Sequence, residues 1–242
     1  MKNVDWLMVT TAQRRLFLAL LTLAGSAALS MAQVSPVPGE ARQTVEQGSA
    51  GKLAAAVDAH YNELKSMQAE FSESYRGAGA SRTEAGTLWL KRPGKMRWEY
   101  RDPRPKLFVS DGKTAWFYVP GEPQAQRAPV NKVDDLRSPL RFLLGKAKLS
   151  KELRNLQIQP GAQAGNVVLS GLPKGMEDRI SRVLLEVTPQ YQIVRLVLEE
   201  VDGASTEFRF SQEKENIAVA DQQFRFSPPE GVGVVEATEL GE

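Results

Sequence analysis

The side chains that carry covalent chemistry are nearly missing from this sequence. It holds no cysteine and a single histidine, His60. Thiol catalysis, cysteine-bound zinc and a lipid-modified amino-terminal cysteine are therefore excluded, so the chain is not itself a lipoprotein. A Ser-His-Asp relay or a multi-histidine metal site has almost no material. His60 reads as a structural or solvated residue, because no second histidine exists to partner it. The acid/base candidates that remain are the pairs Asp134-Asp135 and Glu199-Glu200. Adjacent carboxylates on a strand point to opposite faces, and loop pairs are usually solvated, so both read as surface. The glycines stand singly at turns, which leaves no phosphate-cradling loop. No cofactor and no metal site are expected.

Apolar surface is what remains, and it gathers between Gly86 and Pro120, which hold three of the four tryptophans: Trp89, Trp98 and Trp116. Short runs of aromatic and β-branched residues separated by turn residues are the mark of consecutive antiparallel strands. Pro93-Gly94 suits the centre of a type II turn, with Arg92 just before it. Asp111-Gly112 favours a tight hairpin turn with both central residues at positive φ. Met96, Trp98 and Tyr100 fall on one face of their run, and Arg97, Glu99 and Arg101 on the other. Such a sheet has an apolar face to cover.

The same stretch resembles the periplasmic outer-membrane lipoprotein carrier family (LolA-type). The family pattern is met by Gly86-Thr87-Leu88-Trp89-Leu90-Lys91-Arg92-Pro93, then Trp98, Pro103, Val109-Ser110-Asp111-Gly112-Lys113, Trp116 and Tyr118. Its closing pattern is met by Phe224, Phe226, Pro228, Pro229, Gly231 and Val232, so the likeness runs from about Leu53 to Val235. It implies an incompletely closed antiparallel β-barrel of about a dozen strands. An N-terminal helix and a short lid helix would cover an apolar cavity. Arg92 matches the family's arginine that bonds main-chain carbonyls of the lid in the closed state; its acceptors here would be Tyr61, Leu143 and Leu144. Leu53, Val57, Leu64, Phe71, Trp89, Met96, Trp98, Trp116, Tyr118, Leu140 and Phe142 would line the cavity and lid. A guanidinium offers five donors and suits several helix-end carbonyls at once. Read without the resemblance, Arg92 is an exposed strand-end arginine making a surface pair. Glu73 stands where the family often has glutamine, and Met96 where it often has phenylalanine.

The remaining elements follow in chain order. Arg14-Arg15, the apolar run from Leu16 to Ala24, and Ser30-Met31-Ala32 form an export signal, with residues 1–32 removed. The run is shorter than the roughly 20 residues of a spanning helix. Arg14-Arg15-Leu16-Phe17-Leu18 also resembles a twin-arginine signal, but with no cofactor site the general secretory route is expected. Loss of Lys2, Arg14, Arg15 and Asp5 takes 31 basic and 29 acidic residues to 28 of each. A neutral exported chain speaks against nucleic acid, although aromatics interleaved with Arg97, Arg101 and Arg104 imitate a stacking platform. Residues 33–51 read as a mobile linker and residues 52–242 as one domain. Lys52 to Ser66 is expected as a helix with Leu53, Val57, Tyr61 and Leu64 on one stripe. Strands are expected over Met67–Tyr75, Pro123–Val130, Leu156–Ile158, Asn166–Leu169, Ile180–Val187 and Tyr191–Glu200, with Asp202-Gly203 as a further turn. Ser138, Pro139 and Gly145 bracket a short apolar helix, which is either a buried connector or a plug over a greasy opening.

A soluble periplasmic carrier is the function expected. It would take acylated lipoproteins from an inner-membrane lipoprotein-releasing ABC transporter to an outer-membrane lipoprotein receptor, as a monomer and without enzymatic activity. A periplasmic stress regulator of the same fold, binding lipid or an anti-sigma factor, is the alternative. Such regulators usually carry a further C-terminal domain, which favours the carrier. An exported hydrolase would need two acids converging in a cleft. Whether the apolar side chains line a cavity or fill a core stays open, because both use the same residues.

Overall fold

The structure, a computed structural model, describes residues 38–130 and 148–237, with side chains from residue 48 onward. Twelve strands form a single sheet. The first six are β1 (Ser66–Gly77), β2 (Ala80–Lys91), β3 (Lys95–Asp102), β4 (Lys106–Asp111), β5 (Thr114–Tyr118) and β6 (Gln124–Pro129). The rest are β7 (Leu153–Pro160), β8 (Val167–Pro173), β9 (Ile180–Val187), β10 (Ile193–Glu200), β11 (Ser205–Glu215) and β12 (Gly233–Glu236). Across the sheet they run β12-β6-β5-β4-β3-β2-β1-β11-β10-β9-β8-β7. Neighbours are antiparallel, apart from β12, which lies parallel to β6. The end strands β12 and β7 do not pair, so the expected barrel is indeed left open.

Short hairpins explain why most neighbours in sequence are neighbours in the sheet. Gly94 and Gly203 take φ of +65° and +89° at their turns. The β4–β5 turn differs from the expectation, because only Gly112, at φ +95°, is left-handed. Asp111 instead accepts the N–H groups of Lys113 and Thr114, each at 2.8 Å, through Oδ1. Its side chain replaces the backbone geometry that a second positive φ would have supplied.

Helix α1 (Pro38–Glu63) begins well before the expected Lys52, so the segment read as a linker is helical from Pro38. Proline is welcome in a first helical turn, and the Glu40-Ala41-Arg42-Gln43 run that follows contains strong helix formers. The helix also stops before Ser66, which is the first residue of β1. Ala50, Ala54, Val57 and Tyr61 form its buried stripe, each at most 2% exposed. That stripe packs on β7 and β8. A one-turn helix, α2 (Leu149–Glu152), leads into β7, and Asp58 of α1 accepts the Leu149 N–H at 2.9 Å.

The core lies between α1 and one face of the sheet. Its centre is aromatic: Trp98 meets Phe71 edge-on at 4.6 Å and Phe208 at 5.9 Å. Gly86, paired with Phe71 across β1–β2, makes this stacking possible. A Cβ there would stand 2.1 Å from the Glu99 carbonyl oxygen and 2.9 Å from the Phe71 ring. A Gly86→Ala chain should therefore lose about 1–3 kcal/mol of stability in urea denaturation, as overpacking does. An unchanged midpoint would show that the ring and strand yield freely.

Candidate functional site

The last carbonyls of a helix have no intrahelical partner, and at the end of α1 the Tyr61 carbonyl, with those of Leu64 and Lys65 just beyond the helix, is met by one residue from the β2–β3 turn. Arg92 donates from Nη2 to the Tyr61 carbonyl at 2.5 Å and from Nε to the Leu64 carbonyl at 2.8 Å. The same Nη2 reaches Asn62 Oδ1 at 3.4 Å, and the Arg92 backbone N–H bonds the Lys65 carbonyl at 2.9 Å. A cation also complements the negative end of the helix dipole. Position follows from sequence here. Pro93 and Gly94 turn the chain just beyond Arg92 and aim it back across the α1–β1 corner. The corner is stitched from the other side as well. Asn216 Oδ1 accepts the Lys65 N–H at 2.9 Å, and Ser66 Oγ donates to the Ile217 carbonyl at 2.5 Å. A crevice of about 20 Å³, room for about one water, opens between Tyr61, Leu64, Met67, Leu90 and Arg92.

Beyond the corner the inner face of the sheet is an apolar wall. Leu88, Leu90, Met96, Trp98, Phe71, Phe208 and Phe210 are all 6% exposed or less. Within it the buried Trp98 Nε1 has no hydrogen-bond partner among the described residues. At the far end of the wall Tyr100 donates its hydroxyl to Glu73 Oε2 at 2.8 Å. Burial pushes the Glu73 carboxyl above its usual range, against that hydrogen bond and with help from the neighbouring Glu84 charge. Nearer α1, burial and the charge of Glu215 push Glu213 up to about 7.

The register sorts the expected lining residues into two groups, because directly paired residues share a face. Val57, Leu64, Phe71, Met96 and Trp98 are buried in the core, with Leu53 partly buried against it. Trp89 pairs with Arg97, and Trp116 with Val109, whereas Trp98 pairs with Leu88 and Phe108. Trp89, Trp116 and Tyr118 therefore lie on the opposite face from Trp98, which corrects their expected place in one lining. There the C-terminal segment covers part of that face. Phe226 sits 5.5 Å from both Trp116 and Tyr118, and Arg97 Nη1 reaches the Gln223 carbonyl at 3.4 Å. Lys91 and Lys95 grip Asp221 at 2.7 Å each, and these two hydrogen bonds hold the Asp221 carboxyl down to about 2.

Among the expected carbonyl acceptors, Tyr61 does accept from Arg92, while Leu143 and Leu144 lie outside the described residues. So do Leu140, Phe142 and the acidic pair Asp134-Asp135. Glu199 and Glu200 lie on β10, where Glu199 pairs with Arg182 at 3.6 Å. Sequence reasoning missed the Leu64 carbonyl, the Asp221 strap and the approach of His60 to Glu213 and Glu215. Only the strap had a signal, the closing Phe224–Val232 pattern. The other two join residues whose separation in sequence carries no periodicity.

Residues 62–227 match the family described as "Outer membrane lipoprotein carrier protein LolA". An outer-membrane lipoprotein carrier protein of Chromobacterium violaceum is 30% identical over 172 residues, which cover 71% of this chain and 81% of that one. One from Nitrosospira multiformis is 31% identical over 175 residues, covering 71% and 82%. Among solved structures, a LolA superfamily protein from Nitrosomonas europaea covers 73% of this chain and 97% of its own length, at TM-score 0.44 and 12% identity.

The half-buried Glu73 carboxyl in the wall yields a test. A carboxyl whose folded pKa is raised opposes folding once it ionises, so stability falls as pH rises through that value. Glutamine at this place keeps an acceptor for Tyr100 and carries no charge. Glu73→Gln should raise Tm at pH 7 by roughly 2–4 °C, the shift that about 1 kcal/mol gives a chain of this size. The gain should shrink as pH falls towards 4. A variant that melts lower than its parent at pH 7 would show that the charge is fully offset in the fold.

Proposed function

The chain belongs to the LolA family of outer membrane lipoprotein carrier proteins, and from that footing we propose that it is a soluble periplasmic carrier of acylated lipoproteins. It takes cargo from an inner-membrane ABC transporter, shelters the acyl chains against the inner wall of the sheet, and hands them to an outer-membrane receptor.

The observation that carries the reading is an open sheet with an apolar inner face, covered by a helix whose end is held by polar contacts from one arginine. Hydrocarbon needs such a wall. Each buried methylene is worth about 0.8 kcal/mol, so one long acyl chain left in water costs on the order of 10 kcal/mol. A carrier also needs its wall closed when empty, because an open greasy surface binds indiscriminately. Charge-assisted bonds of roughly 1.5–3 kcal/mol each are strong enough to hold a cover and weak enough for cargo to displace. Apolar packing alone would not do so well, since cargo and cover would then compete for the same contacts with no separate release point. In this reading Arg92 is the latch, and its partners are Tyr61 and the expected plug-helix carbonyls of Leu143 and Leu144. Residues 131–147 join β6, one strand from an end of the sheet, to α2 and β7 at the other end. Release requires no fuel at this protein if the receptor binds the chains more tightly.

Opening costs the closed state its arginine bonds, so weakening them should favour the loaded form. Arg92→Leu is expected to load from lipoprotein-bearing spheroplast membranes at least as well as the parent, and to pass cargo to acceptor membranes roughly tenfold more slowly. Equal loading with equal hand-off would remove Arg92 from the mechanism. The reading itself is tested by incubating the purified mature chain with spheroplasts and identifying by mass spectrometry what it extracts. Acylated proteins are expected; recovery of a peptide regulator without them would replace the carrier by a stress-sensing protein of the same fold.

A further inference from the structure

One group of side chains beneath α1 is left unused by the carrier reading. His60 projects from the last turn of α1. Glu213 and Glu215 project from β11, two residues apart and so on one face of that strand. A donor atom from each lies within 4.8 Å of the other two. His60 Nε2 stands 3.0 Å from Glu215 Oε1 without the alignment of a hydrogen bond.

The surroundings make this convergence unusual. His60 Nε2 and Glu213 Oε1 are both closed off from solvent and have no hydrogen-bond partner among the described residues. Gln192 Nε2 donates to Glu215 Oε1 at 2.8 Å and fixes that carboxylate from behind, as outer groups do for ligands. The only cation-capable group paired with either glutamate, among the described residues, is His60 itself. Among the described residues no lysine or arginine nitrogen comes within 4.0 Å of either half-buried carboxylate, and both face an unpartnered imidazole nitrogen, which leaves a positive charge wanting at the point where the donors meet.

We propose that His60, Glu213 and Glu215 bind a divalent cation of the zinc class, with water completing its coordination. The donor set decides the class. One imidazole nitrogen with two carboxylate oxygens suits zinc, cobalt or nickel, whereas calcium and magnesium take oxygen alone. Bonds of 2.0–2.2 Å in a tetrahedron hold donors roughly 3.3 Å apart, which the His60–Glu215 spacing nearly meets and Glu213 reaches by rotation about its side-chain bonds. A bound ion would tie α1 to β11 next to Tyr61, whose carbonyl Arg92 holds. The cover would then have a second fastening at the same end, of different chemistry from the first.

The test titrates untagged, chelator-stripped protein with zinc chloride and, separately, cobalt chloride by calorimetry, with magnesium chloride as the comparison. One zinc ion per chain should bind with Kd on the order of 10 µM or tighter, and magnesium should give no heat at the same concentration. The cobalt form should absorb in the visible, and zinc should raise Tm by several degrees. His60→Asn, Glu213→Gln and Glu215→Gln, each checked for folding by circular dichroism, should each weaken zinc binding at least tenfold. Three results overturn the proposal: no zinc uptake, uptake that none of the three substitutions weakens, or a Glu213→Gln chain that is simply more stable while the parent takes no zinc. The last would mean that the carboxylates share a proton instead.

Discussion

A helix laid across a sheet ends in carbonyls that must find donors, and that requirement governs this molecule. The donors for α1 come from a single guanidinium, which bonds the Tyr61 and Leu64 carbonyls while its own backbone N–H takes that of Lys65. The apolar stripe from Ala50 to Tyr61 supplies the attraction between helix and wall, but attraction of that kind has no direction and no address. The Arg92 bonds have both. They define where the helix ends and how it meets β1. Ser66 and Asn216 brace the same corner.

The sheet separates its two tasks by register. Leu88, Trp98 and Phe108 fall on the inner face, while Trp89, Arg97, Val109 and Trp116 fall on the other. The outer residues are not idle surface. Phe224, 1% exposed, and Phe226 lie in the segment that crosses them, and Asp221 fastens that segment to Lys91 and Lys95. Strands β3 to β5 thus carry an apolar layer on each face, which gives a thin open wall the stiffness that a closed barrel would obtain from ring closure.

Much of this was legible in the sequence, and the reasons for the gaps are specific. The hairpins of β2 to β5 and the alternation of Met96, Trp98 and Tyr100 with Arg97, Glu99 and Arg101 could be read directly, because strand period and turn chemistry are local. The likeness to a known family supplied Arg92 and Tyr61, which no local rule joins. The start of α1 was misjudged, since proline and glycine near residue 38 weigh equally for a loop and for a first helical turn. Aromatic type alone could not sort Trp89 and Trp116 from Trp98. Only pairing assigns a face, and pairing is non-local. Asp111 was given a backbone role that its side chain performs. His60, Glu213 and Glu215 were invisible as a group, because a β-bulge at Gln212 and Glu213, opposite Ala69, breaks the alternation between Phe210 and Glu215. Sequence spacing says nothing of where a bulge will aim them.

The seam between β1 and β11 has a consequence for how the chain comes into being. Strands β1 to β6 form one run of hairpin-joined neighbours, and β7 to β11 form another, and the two meet along the β1–β11 seam, with Phe71 beside Phe210 near its middle. Those partners are separated by most of the domain. A chain that folds from its amino end therefore makes a half-sheet with a bare flank at β1, and holds it bare until the eleventh strand arrives. Met67, Ala69 and Phe71 line that flank. Long-range closure of this kind is slow and invites pairing with strangers. A member of a family that carries sticky cargo thus presents a sticky edge of its own until β11 is in place.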